Sequence, residues 1–106
     1  MSFTFIELPG FSKHRESLLD DDSFREMQEG LIENPELGDV ISGTGGFRKM
    51  RWNLPGKGKS GGVRIIYYHI TTEGRLYLAL IYAKGEMDNI TKAQRNELKK
   101  IVSKLK

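Results

Sequence analysis

Six cations lie between residues 43 and 64 with no acid among them: Arg48, Lys49, Arg51, Lys57, Lys59 and Arg64. No Asp or Glu occurs between Asp39 and Glu73. Like charges this dense repel one another unless a polyanion answers them, so the stretch reads as a grip for a phosphate backbone. On a strand over residues 47–52, period-two geometry puts Phe47, Lys49 and Arg51 on one face and Arg48, Met50 and Trp52 on the other. Arg64 opens an otherwise apolar strand, where an unpaired charge is costly. Tyr82 and Lys84 share a face at the end of the next strand. Aromatics beside cations suit single-stranded RNA, because bases stack while phosphates pair.

Such a set can cut RNA through the RNA's own 2′-OH, which attacks the neighbouring phosphorus. The protein must orient the attack, remove one proton, supply another to the leaving oxygen and neutralise the extra charge on the phosphorane. Fixed cations supply that last contribution, often the largest. A lysine among cations has its charged form disfavoured and so approaches acid–base work near neutrality. The candidates are therefore Arg64 for charge stabilisation and Lys49 or Lys84 for proton transfer. Arg48, Arg51, Lys57 and Lys59 would hold the backbone, and Tyr82 would stack on a base.

Other motifs carry less. Gly56-x-Gly58-x-x-Gly61 has the letters of a dinucleotide fingerprint, but the fingerprint needs a helix after it and a β-branched run follows here. Gly58-Lys59-Ser60 ends like a P-loop, yet position 53 is Asn and again no helix follows. Asp20, Asp21 and Asp22 lack the spaced ligands of a calcium loop and read as a helix entrance. His14 and His69 are far apart with no metal spacing, and Ser60 has no evident base partner. The bland reading of the cations themselves is a solvated basic face.

The net charge of +3 conceals a division. Residues 1–39 hold three Lys/Arg and ten Asp/Glu, and residues 40–106 hold the other fourteen Lys/Arg and four Asp/Glu. That asymmetry again favours a nucleic-acid face on the basic part. The absence of cysteine removes any disulfide framework or thiolate metal site and fits a reducing cytoplasm. No signal peptide or membrane span is legible, and 106 residues suit one domain, 1–106.

The elements that must position the cations follow from pattern. Residues 3–8 read as a strand stopped by Pro9-Gly10, and Ser12 as the cap of a short helix over 13–19. Ser23 and Glu26 form a capping box before the apolar stripe Phe24, Met27, Leu31 and Ile32, ended by Asn34-Pro35. Residues 38–46 read as a polar connection. Strands over 47–52, 63–70 and 75–84 come next, the last two joined by a hairpin turn at 71–74. Thr91 and Gln94 box a final helix with Leu98, Ile101, Val102 and Leu105 inward. The order β-α-α-β-β-β-α predicts an α+β fold, with a mainly antiparallel four-stranded sheet, a helical hairpin and a C-terminal helix.

At Arg-Lys-Met-Arg (48–51), Gly-Gly-Val-Arg-Ile-Ile-Tyr-Tyr (61–68) and Ile-Tyr-Ala-Lys-Gly-Glu-Met (81–87), the chain resembles the RelE/ParE superfamily of bacterial toxins. The run from Asn34 to Lys49, followed by Gly56-Lys-Gly-Lys-Ser-Gly-Gly, is similar to the HigB-type branch. The resemblance covers nearly the whole chain. It implies the toxin of a type II toxin–antitoxin pair, acting as a ribosome-dependent, metal-independent mRNA interferase. Such an enzyme cuts the codon in the A site of the small ribosomal subunit and needs no cofactor. It also implies a helix-turn-helix antitoxin of HigA type. On this resemblance Lys49 and Arg51 match the basic strand pair, Arg64 the phosphate-clamping arginine, and Lys84 with Glu86 the Lys-x-Glu segment. Gly85 stands where several relatives carry arginine, and no tyrosine follows Tyr82, so the general acid and base stay open between Lys49 and Lys84. Two rival functions remain: a ParE-like gyrase poison, which lacks the basic cluster, and a nucleic-acid-binding module without catalysis.

Overall fold

The computed structural model describes residues 3–54, 62–86 and 90–105, so Lys57 and Lys59 lie outside the described residues. In chain order the elements are β1 (Thr4–Glu7), α1 (Pro9–Leu18), α2 (Asp21–Glu33), β2 (Asp39–Val40), β3 (Arg48–Trp52), β4 (Val63–Ile70), β5 (Arg75–Ala83) and α3 (Lys92–Leu105). The fold is α+β, but the sheet departs from the mainly antiparallel four-stranded one expected. It has five strands in the order β1-β5-β4-β3-β2. β1 runs parallel to β5, and the other pairings are antiparallel. The added strand, β2, is only two residues long and falls within the supposed polar connection.

Local chemistry explains the shifted boundaries. Pro9, read as a breaker, is the first residue of α1, where its missing N–H costs nothing and its fixed φ suits a helix. Asp20, not Ser23, caps α2: its carboxylate accepts the Ser23 N–H at 2.8 Å. Hydrogen bonds from the Ser23 backbone and side chain also hold the Asp20 carboxyl below its usual range. The box at the start of α3 forms as expected, Thr91 N–H donating to Gln94 Oε1 at 2.9 Å and Gln94 N–H to Thr91 Oγ1 at 3.1 Å.

Helices cover both faces of the sheet. Phe11, Met27 and Leu31 from the hairpin meet Met50, Val63, Ile65 and Tyr67 on one side. Leu98 and Val102 of α3 meet Phe47, Ile66, Ala79 and Tyr82 on the other. Each Val, Leu, Ile, Phe or Met among them contributes about 1.5–3 kcal/mol when fully buried. Alternation along β4 therefore assigns its residues to two cores, with Arg64 on the α3 side. A bulge lets the two cores coexist on β5. Ile66 pairs with Leu80 and Tyr67 with Leu78, which leaves Ala79 as the extra residue.

Candidate active site

β3 and β4 place the predicted cations by register. Arg51 lies directly across from Arg64, and Arg64 directly across from Tyr82. Directly opposed residues of antiparallel strands share a face, with Cβ atoms about 4.5–5.5 Å apart. Lys49, two residues before Arg51, joins them. Lys49, Arg51 and Arg64 accordingly line one hollow of about 640 Å³ together with Leu37, Gly38 and Asp39. Lys49 and Arg64 are half-buried and Arg51 is exposed. Among the described residues none of the three forms an ion pair. Three cations against one carboxylate leave the hollow net positive, a local field that favours an anion.

Asp39 is the member of the hollow that sequence reading missed. In the sequence it belongs to the acidic first third of the chain. β2 pairs it with Lys49, so the two side chains share a face. No motif announces it, because a two-residue strand has no period.

Both sides of Asp39 are tied down. Before it, the buried Tyr67 hydroxyl accepts the Gly38 N–H at 2.8 Å and donates to the Pro35 carbonyl at 2.8 Å. Burial raises the Tyr67 pKa, against the pull of the Gly38 N–H and the Arg48 charge. Gly38 also has no room for a side chain: a Cβ there would lie 2.7 Å from the Lys49 carbonyl oxygen. After Asp39, Ile41 N–H donates to the Phe47 carbonyl at 2.8 Å. The fully buried Thr44 hydroxyl donates to the Ile41 carbonyl at 2.7 Å and accepts the Phe47 N–H at 3.1 Å.

Three expected site residues are placed differently. Arg48 sits on the opposite face of β3, donates to the Gly38 carbonyl at 2.7 Å and reaches Glu36 at 4.0 Å. Its guanidinium holds the loop before β2 and does not line the hollow with Lys49 and Arg51. Tyr82, expected to stack on a base, is only 6% exposed and packed under α3 with Phe47, Ile66 and Leu98, so its ring has no open face. Burial raises the Tyr82 pKa, partly offset by the positive charge of Arg64. Lys84 is exposed just beyond β5, and its backbone N–H donates to the Gly62 carbonyl at 3.3 Å. That sets it at the same end of the sheet as Arg64, though not in the lining of the hollow. Glu86, its partner in the Lys-x-Glu segment, turns back to accept the Ala83 N–H at 2.9 Å.

His14 lines a second hollow of about 420 Å³ between α1 and the end of β5, with Lys13, Ser17 and Glu86. His69 lies near Arg48 and Glu36, and burial followed by the Arg48 charge lowers its pKa. Among the described residues no three His, Asp or Glu side chains gather as a metal site.

A family model described as the RelE toxin of the RelE / RelB toxin–antitoxin system matches residues 11–106. The chain belongs to the RelE toxin family. The match takes in every described element from the body of α1 to α3 and all the residues of the hollow. Membership brings with it an antitoxin partner. Among the described residues no helix is long and apolar enough to cross a membrane.

Proposed function

We propose that this RelE-family toxin is a metal-independent endoribonuclease of the HigB-type branch, which cuts messenger RNA in the ribosomal A site and so stops translation. The observation that supports this most is the convergence of Lys49, Arg51 and Arg64, without ion-pair partners among the described residues, on one hollow. A phosphodiester is the group such a hollow suits. Arg64, centred between Arg51 and Tyr82 across the strands, is placed to meet the phosphorane charge. Arg51 holds the backbone, and Lys57 and Lys59 extend that grip. A lysine, Lys49 or Lys84, protonates the leaving 5′-oxygen. In the cell the toxin works in the cytoplasm, held in check by a HigA-type helix-turn-helix antitoxin.

The test is primer extension on messenger RNA after induced expression, with and without active translation. Cuts inside codons that vanish without ribosomes are expected. Arg64→Ala should fold normally and lose these cuts together with growth arrest, by at least about 100-fold in rate, as for removal of a single transition-state donor. A folded Arg64→Ala protein that cuts at the wild-type rate refutes the assignment. Bound but intact RNA would make the chain a binding module instead.

A further inference from the structure

We infer that Asp39 is the general base of the cleavage, the group that takes the proton from the attacking 2′-OH. This rests on the endoribonuclease reading above. Of the hollow's side chains, Lys49, Arg51 and Arg64 carry only donors when charged: an ammonium has three N–H groups and no lone pair, a guanidinium five. Leu37 and Met50 carry no titratable group and Gly38 has no side chain. Among the described residues that line the hollow, Asp39 therefore supplies the one side-chain carboxylate, an acceptor on both oxygens. A base must sit where the cations hold the phosphate, and the Asp39–Lys49 register puts it on that face.

Two further observations favour a reactive role over a balancing one. Among the described residues Asp39 enters no ion pair and no side-chain hydrogen bond, so its oxygens are free to accept. Its backbone, by contrast, is held firmly. Tyr67 and Arg48 fix Gly38 on one side, and Thr44 and Phe47 fix Ile41 on the other. A two-residue edge strand pinned at both ends keeps the exposed Asp39 carboxylate beside the hollow, where proton abstraction needs an acceptor.

The step balances without a co-reactant. The 2′-O–H proton passes to an Asp39 carboxylate oxygen as the 2′-oxygen bonds to phosphorus. The bond from phosphorus to the 5′-oxygen breaks, and that oxygen takes a proton from a lysine ammonium, leaving a 2′,3′-cyclic phosphate and a 5′-hydroxyl. Solvent then returns the Asp39 proton to the lysine. Base and acid thus divide between unlike groups, and the lysines are left with donation alone.

Asp39→Asn tests this in single-turnover cleavage on ribosomes programmed with short messenger RNAs covering several A-site codons, beside wild type and Arg64→Ala. The side chain is exposed, so the variant should melt as wild type does. Cleavage should fall about 100-fold or more, within the range for loss of a general base, while binding to the programmed ribosome holds or tightens. The acid limb of the wild-type pH–rate profile should flatten in the variant, and Asp39→Glu should recover part of the rate. A variant within threefold of wild type, or one that loses binding in proportion and keeps the acid limb, overturns the assignment. If wild type cuts and only Arg64→Ala fails, the nuclease reading stands and Asp39 is not the base. If wild type cuts nothing, the nuclease reading falls and Asp39 with it.

Discussion

Tyr67→Phe should destabilise the fold and disable the site through one oxygen atom. Tyr67 is fully buried, and its hydroxyl both accepts from Gly38 N–H and donates to the Pro35 carbonyl, each at 2.8 Å. Phenylalanine keeps the ring and strands two backbone groups. A buried donor or acceptor left unmet costs about 1–3 kcal/mol, and the carbonyl, with a second lone pair, falls at the low end. Some relief through loop movement is expected, so the net figure is about 2–4 kcal/mol. For a domain of this size each kcal/mol lowers Tm by about 4–8 °C, and a fall of about 8–32 °C should appear in a thermal melt followed by far-UV circular dichroism. Because relief comes from the loop that carries Gly38 into β2, cleavage should drop even at temperatures where the variant is fully folded. Alkaline pH should act in the same direction. The folded-state pKa of Tyr67 is raised, so the stability tied to its neutral form is complete below the ordinary tyrosine pKa and is lost as pH rises through the folded value. A Tyr67→Phe protein melting within 2 °C of wild type would show that the hydroxyl does not anchor this loop.

Gly38→Ala should push the loop off β3, since the new Cβ would sit 2.7 Å from the Lys49 carbonyl oxygen and 2.8 Å from its carbon. A loss of about 1–3 kcal/mol is expected from overpacking, with cleavage reduced more than binding, and unchanged melting would refute the close approach. His69, whose pKa is lowered by burial and by Arg48, binds more protons unfolded than folded between its folded value and about 6.5. Stability should therefore fall as pH is lowered through that window. His69→Gln should flatten that slope in Tm measured from pH 5 to 7.5, and an unchanged slope would assign it elsewhere.

The cationic strand pair was legible because strand alternation is local. Once residues 47–52 are a strand, Lys49 and Arg51 must share a face and Arg48 must leave it. The sequence could not say what Arg48 does there, because its partners, Gly38 and Glu36, are supplied by a loop whose path depends on Tyr67, 29 residues beyond Gly38. Asp39 stayed hidden for the same reason, being made a site residue only by its pairing with Lys49. Tyr82 misled because a tyrosine beside a lysine looks alike on an open strand and under a helix, and only the packing of α3 decides between them. At α2 the run Asp20-Asp21-Asp22-Ser23 offers four good caps in succession, so its local chemistry fixes that a helix starts without fixing where.

The parallel pairing of β1 with β5 joins Thr4 to Arg75 and Glu7 to Leu78. A chain leaving the ribosome exposes its first strand long before the partner of that strand has been made. β5 also holds β4 and lies under α1, so without it neither β1 nor β4 has its neighbour. A nascent chain stopped short of residue 75 would thus carry Lys49, Arg51 and Arg64 on strands with no completed platform beneath them. The same long closure that slows folding delays assembly of the cationic hollow until β5 has been made.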